Sequence, residues 1–156
     1  MPSVAEITQR LMAIDSTTGI ESRVINAMEE LLESREWSVE RIPVAGGRDC
    51  LLARSRPDPD VTLSTHLDTV PPFIPPRVNG DRISGRGACD AKGIAASMCM
   101  AAENLREAGV AVALLFVVGE ETTHDGARAA NQWAATHLTK RPRVLINGNR
   151  LKARWR

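Results

Sequence analysis

The chain has 156 residues and a formal net charge of +1, with 43% hydrophobic and 25% charged residues, the balance of an ordinary globular domain rather than a disordered or fibrous chain. That length is enough to bury roughly two-thirds of the surface the unfolded chain exposes. Aromatics make up only 3% and tyrosine is absent, so the core must be aliphatic.

No basic stretch followed by an apolar core opens the sequence, and the longest apolar run, residues 110–118, is too short to span a bilayer. A cytoplasmic protein without a membrane partner is expected. Cys50, Cys89 and Cys99 are odd in number and lack Cys-x-x-Cys spacing, which argues against a disulfide framework or a thiolate zinc site. All 19 acids fall in residues 1–125, whereas residues 126–156 hold 8 bases and no acid. Arg150, Lys152, Arg154 and Arg156 lack the Gly-rich or aromatic-interleaved setting of a nucleic-acid binder, so a solvated basic tail over 149–156 and no nucleic-acid partner are expected.

Val4, Ile7, Leu11 and Ile14 recur at helical spacing, which predicts a first helix stopped by Ser16-Thr17-Thr18-Gly19. Val24, Ile25, Met28, Leu31 and Leu32 repeat the pattern over residues 21–33. Alternation over 37–44, a turn at 45–49 and a second run at 50–54 predict a β-hairpin. A third strand at 61–65 delivers His66 to its carboxyl end, where ligands gather in open α/β sheets. Pro71, Pro72, Pro75 and Pro76 exclude helix or central strand, leaving a rigid loop leading to Asn79-Gly80-Asp81.

A helix over 94–109 follows Asp90, where an aspartate is commonly only a cap. Residues 110–118 are apolar on both faces, so they predict a central strand in a helix-covered sheet, ending at Glu120-Glu121. Another helix at 126–137 and a short strand at 144–146 complete the pattern. Helix and strand alternate throughout, so the fold class expected is α/β, a three-layer unit with a mixed, mostly parallel sheet.

Three segments carry chemistry: His66-Leu67-Asp68-Thr69-Val70-Pro71, Gly85-Arg86-Gly87-Ala88-Cys89-Asp90-Ala91-Lys92-Gly93, and Gly119-Glu120-Glu121. Each sets an ionisable side chain at the end of an apolar run or the start of a helix, where the backbone is firmly held and the side chain can face a cleft. An imidazole with several carboxylates is a donor set for zinc-type divalent metals, and metal pairs hydrolyse amides and phosphates. Adjacent bare carboxylates repel, so a cation beside Glu120 and Glu121 is an economical arrangement, with a solvated turn as the alternative. His124 and His137 read as structural.

From residue 4 to residue 148 the sequence resembles the two-zinc amidohydrolases and exopeptidases that include acetylornithine deacetylase, succinyl-diaminopimelate desuccinylase and glutamate carboxypeptidase. The resemblance implies that His66 binds one metal, Asp90 bridges both and Glu121 binds the other. It further implies that Asp68 orients His66, and that Glu120 is the general base that takes a proton from the attacking water and hands it to the leaving nitrogen. These roles fit independent physics, since a base must be near the water without being a ligand and a ligating histidine needs an acceptor for its other nitrogen.

Two divalent metals, zinc with cobalt as a substitute, are the expected cofactors, and an acylated amino acid or small peptide the expected substrate. Substrate-binding residues are not legible. Two departures accompany the match. Where the family carries a Gly-Glu-Pro-Thr-like turn whose acid completes the shell of the histidine-bound metal, this chain reads Asn147-Gly148-Asn149-Arg150-Leu151. The family's smaller second domain and its late histidine ligand are also absent. Residues 1–148 are therefore expected to be the N-terminal part of a zinc-hydrolase catalytic domain, incomplete relative to the family, with each metal one ligand short, and the chain a truncated and inactive form. A homodimer is expected only of the full-length family form. The rival reading is a non-catalytic metal-binding or interaction domain.

Overall fold

The computed structural model describes residues 2–149; the rest of the basic tail expected at 149–156 lies outside the described residues. Helix α1 (Val4–Met12) opens with a capping box: the Ser3 hydroxyl accepts the Glu6 main-chain N–H at 3.2 Å, and the Glu6 carboxylate accepts the Ser3 N–H at 2.8 Å. Its buried face is Ile7, Leu11 and Met12, and α2 (Ser22–Glu33) buries Val24, Ile25, Met28, Leu31 and Leu32. These are the faces their spacing predicts, except that Val4 and Ile14 lie at the margin.

The hairpin forms as expected, with β1 (Ser38–Val44) antiparallel to β2 (Arg48–Arg54) and Val44 opposite Arg48. β3 (Val61–His66) ends on His66, as the sequence predicts. After the proline loop comes a small separate hairpin, β4 (Arg77–Asn79) with β5 (Arg82–Ser84), turning at Gly80-Asp81. Then follow α3 (Lys92–Glu107), β6 (Val112–Val117), α4 (Asp125–His137) and β7 (Val144–Asn147).

The five-stranded sheet has the order β1-β2-β6-β3-β7. β6 is central, and its Leu114 and Phe116 are fully buried; burying an aliphatic or aromatic side chain of that size contributes about 1.5–3 kcal/mol. The sheet is mixed: β3 pairs in parallel with β6 and β7, while β1–β2 and β2–β6 are antiparallel, so parallel pairings are half rather than most. Alternation along the strands turns Leu52, Thr62, Ala113 and Leu115 towards Ala130 and Trp133 of α4, and Leu63 and Ile146 towards Ile94 and Met98 of α3. Helix layers on both faces give the three-layer α/β unit that the helix and strand alternation predicts. Among the described residues no helix is long and apolar enough to cross a membrane.

The parallel half of the sheet positions the site. Strands that run the same way end on the same edge, and here His66 is in register with Val117 and Ser64 with Asn147. The residues at and just beyond the ends of β3, β6 and β7 therefore emerge side by side: His66 and Asp68, Glu120 and Glu121, and Asn149.

Candidate metal centre

Each of the three motifs is delivered by a different device. β3 carries His66 directly on its last residue, 1% exposed. Glu120 and Glu121 follow Gly119, which turns the chain off β6 with φ of 70°. A side chain there would be strained and would also run into the Asp125 carboxylate, so the sharp exit requires glycine. Asp90 sits on the loop into α3 and precedes a cis Asp90–Ala91 peptide. Gly93 packs so closely under this loop that an added Cβ would collide with the Ala88 carbonyl oxygen.

The cap explanation for Asp90 finds no support in the geometry, because the residue capping α3 is Ala91 and no side chain caps that helix. The Asp90 Oδ1 instead lies 3.1 Å from His66 Nε2. Glu120 Oε2 is 3.7 Å from the same nitrogen. One ligand atom each from His66, Glu120 and Glu121 falls within 4.8 Å of the others. The group whose donor atoms come together is thus His66 with Glu120 and Glu121, the predicted base completing it in place of Asp90, which meets it through its contact with His66 Nε2. His124 and His137 are not in that group: His124 precedes α4, and His137 stacks on Trp133 with ring centroids 4.8 Å apart.

The other imidazole nitrogen fixes the ring. His66 Nδ1 lies 3.0 Å from the main-chain carbonyl of Asp68 and 3.4 Å from its carboxylate Oδ1. Both are acceptors, so Nδ1 carries a proton and Nε2 is the nitrogen presented to the carboxylates. The shorter contact is to the carbonyl, so Asp68 orients the ring with its backbone as well as its side chain.

Asp68 is fully buried, and its carboxylate is saturated with donors. Oδ1 accepts the Glu120 N–H at 3.0 Å, while Oδ2 accepts the Glu121 N–H at 3.0 Å and the Thr18 hydroxyl at 2.8 Å. Burial works against its charge, but the His66 contact and these hydrogen bonds outweigh it and hold Asp68 below the usual aspartate range. For His66 burial also opposes the cation, yet Asp68, Glu120 and Asp90 prevail and raise it to about 9. Glu121 is raised by burial and by the charge of Asp90, with His66 opposing. An anionic cluster of this kind is relieved by a divalent cation. One imidazole nitrogen with several carboxylate oxygens and no thiolate is a donor set suited to zinc or cobalt.

Asn149 Nδ2 donates to Glu120 Oε1 at 2.6 Å. Where the sequence comparison expects an acid, a neutral amide reaches the base candidate instead. Two further residues join the site that the sequence motifs do not single out, Thr18 and Lys92. Lys92 is 1% exposed and its Nζ donates to the Ile14 carbonyl at 2.7 Å, joining the end of α1 to the Asp90 loop. Its place two residues after Asp90 was the available signal. Thr18 had none beyond a run of hydroxyl residues.

Residues 62–151 match the family described as peptidase family M20/M25/M40. The chain belongs to this family. It is 38% identical over 135 residues to a probable carboxypeptidase of Aspergillus clavatus, covering 76% of this chain and 30% of that protein. A tripeptidase structure from Staphylococcus aureus superposes with a TM-score of 0.68 at 26% identity, covering 83% of this chain and 39% of that one. A dinuclear metal-binding M20 peptidase from Bacillus subtilis matches in fold, with a TM-score of 0.66 at 16% identity, covering 92% and 41%. The chain spans about a third of the length of the curated M20 relatives it matches.

Proposed function

We propose that residues 1–148 are the N-terminal part of an M20 catalytic domain, forming the metal-binding face of a hydrolase that cleaves amide bonds in N-acyl amino acids or small peptides. The observation that carries this reading is that Asp90 and Glu120 both approach His66 Nε2 while Glu121 falls in one cluster with His66 and Glu120. In it, His66 and Asp90 would hold one divalent ion, and Asp90 with Glu121 a second. Zinc is the best match to the donors. When bound, such ions polarise the scissile carbonyl and make water a stronger nucleophile. Names among the similar proteins, carboxypeptidase, tripeptidase and dinuclear metal-binding peptidase, support both the metal pair and a peptide-like substrate.

The chain's own groups then have distinct tasks. Asp68 holds His66 Nδ1–H, so that Nε2 is the nitrogen turned to the centre. Glu120, tethered at Oε1 by Asn149, turns Oε2 inward to accept a proton from the attacking water and return it to the leaving nitrogen. In this reading the protein is cytoplasmic and a deacylase or exopeptidase of amino-acid metabolism, with dimerisation belonging to the full-length family form.

Zinc titration calorimetry tests the centre. The expected result is micromolar or tighter binding that is abolished in His66→Ala. Absence of binding, or binding indifferent to His66, overturns it. One observation favours a second reading, a metal-binding module without turnover: the neutral Asn149 beside Glu120 stands where an acid would complete the histidine-bound position, leaving it two of the roughly three protein ligands a catalytic zinc ordinarily has.

A further inference from the structure

The turn between α1 and α2 is fastened to the site at several points. The Ser16 hydroxyl donates to the Leu67 carbonyl at 2.8 Å, and the Thr69 N–H donates to the Ser16 carbonyl at 3.0 Å. The Thr18 N–H donates to the Thr69 carbonyl at 3.2 Å, and Thr17 and Thr69 form an isolated parallel bridge. The backbone of residues 16–18 therefore runs alongside 67–69 like a short extra strand. This fixes the Thr18 hydroxyl over the Asp68 carboxylate, at 2.8 Å from Oδ2.

We propose that Thr18 is a positioning residue for the metal centre: its hydroxyl sets the rotation of the Asp68 carboxylate, and through it the orientation of His66. The inference rests on the reading of His66 as a metal ligand. Asp68 has two oxygens and must serve three clients, His66 Nδ1 and the N–H groups of Glu120 and Glu121. The carboxylate of an aspartate turns in a broad, shallow well about its last bond. Oδ1 faces both His66 and Glu120 only while Oδ2 is held on the opposite side. There Oδ2 takes one main-chain donor, from Glu121, and the Thr18 hydroxyl. The direction of that bond is set, because an ionised carboxylate only accepts. Of these contacts, the hydroxyl is the one a substitution can delete without altering a ligand, the base or Asp68 itself.

The test compares Thr18→Val, which keeps the branched shape and removes the donor, with Thr18→Ser, which keeps the donor. Both are made in the 156-residue chain, with Thr18→Ala replacing the valine variant if valine prevents folding. Two quantities are read: zinc affinity by calorimetry, and the His66 ring nitrogen and proton signals of the metal-free protein by NMR. The expected result is that Thr18→Val binds zinc roughly 10–100-fold more weakly, the usual cost of losing a partner behind a metal ligand. Its His66 ring signals should also be displaced, and Thr18→Ser should restore both. Wild-type affinity and unchanged ring signals in Thr18→Val overturn the proposal, as does a serine variant that behaves like valine, since packing rather than the hydroxyl would then be responsible. If the wild-type chain binds no zinc, the metal reading fails on its own. The metal-free ring signals then decide the role of Thr18, displacement in Thr18→Val with recovery in Thr18→Ser supporting it and no change overturning it.

Discussion

The carboxylate of Asp68 accepts the main-chain N–H of Glu120 at 3.0 Å, linking two motifs that lie 52 residues apart. The same carboxylate takes the N–H of Glu121, so the turn carrying both glutamates is hung from the residue that also orients His66. The candidate ligand on β3 and the candidate ligand and base after β6 are thus held in one buried hydrogen-bonded unit. The parallel pairing of β3 with β6 brings the two strand ends together, and Asp68 fixes their separation.

Replacing Asp68 with asparagine tests that unit. The amide has one acceptor oxygen where the carboxylate has two, so an N–H of Glu120 or Glu121 would face an NH2 group and lose its partner. An unsatisfied buried donor costs about 1–3 kcal/mol, which a urea unfolding curve should show as a lower midpoint. Zinc affinity should fall by roughly 10–100-fold as the glutamate turn and the His66 ring lose their common anchor. A variant with the wild-type midpoint and affinity would mean that the strands alone position the site.

Metal binding should be coupled to proton release. In the metal-free chain His66 is raised to about 9, so near neutral pH its Nε2 carries a proton that a metal must displace. Affinity should therefore climb roughly tenfold per pH unit up to about 9 and then level off. Calorimetry at neutral pH in buffers of different ionisation enthalpy should report about one proton released. The metal-free fold should respond in the opposite sense. Because the folded value exceeds the ordinary 6.5, the stability His66 contributes is fully present below about 6.5 and is lost as pH rises through about 9. An affinity independent of pH between 6.5 and 9 would contradict this account.

Lys92 should show the reverse linkage. Burial lowers it from 10.5 to about 8, against the weaker pull of Asp15. Between about 8 and 10.5 the unfolded chain holds the extra proton, so this group makes the wild type more stable as pH rises through that window. In Lys92→Met, which removes the charge and keeps most of the volume, the gain should vanish. The variant should compare best with wild type below pH 8, where a buried ammonium is costly, and lose ground by up to ~1.4 kcal/mol per pH unit above it. Parallel stability curves for the two proteins across pH 7–10 would show that Lys92 does not titrate in the folded state.

The candidate ligands are legible in the sequence because each one follows an apolar run or precedes a helix, and strand and helix placement sets His66, Asp90 and Glu121 near one edge of the sheet. The fastening of that edge was not. Thr18 reads locally as part of a helix stop, since hydroxyl residues before a glycine bond their own backbone in many turns; its bond to Asp68 spans 50 residues and appears only once the sheet is assembled. The β4–β5 hairpin escaped for a different reason: Asn79-Gly80 is a hairpin signal, but its arms are three residues each and follow a run of prolines. The share of antiparallel pairing was also hidden, because nothing local in β2 states which neighbour it meets or in which direction.

The last prediction concerns turnover. Incubated with zinc or cobalt and N-acetyl or N-succinyl amino acids, the 156-residue chain should hydrolyse no faster than its Glu120→Gln variant. Each proposed metal position has two ligands from this chain, His66 with Asp90 and Asp90 with Glu121, and loss of a ligand should cost more than the roughly 10–100-fold that follows loss of a supporting partner. Asn149 does not replace the missing charge, because its amide is neutral and its nitrogen donates to Glu120. A metal held by two side chains at an open strand edge also lacks the shaped, dry cavity that lowers the pKa of its water and aims it. The control separates chemistry from binding, because glutamine at 120 removes the proposed base while leaving His66, Asp90 and Glu121 in place. Robust turnover that disappears in Glu120→Gln would refute the prediction and would require the missing ligands to come from a second chain.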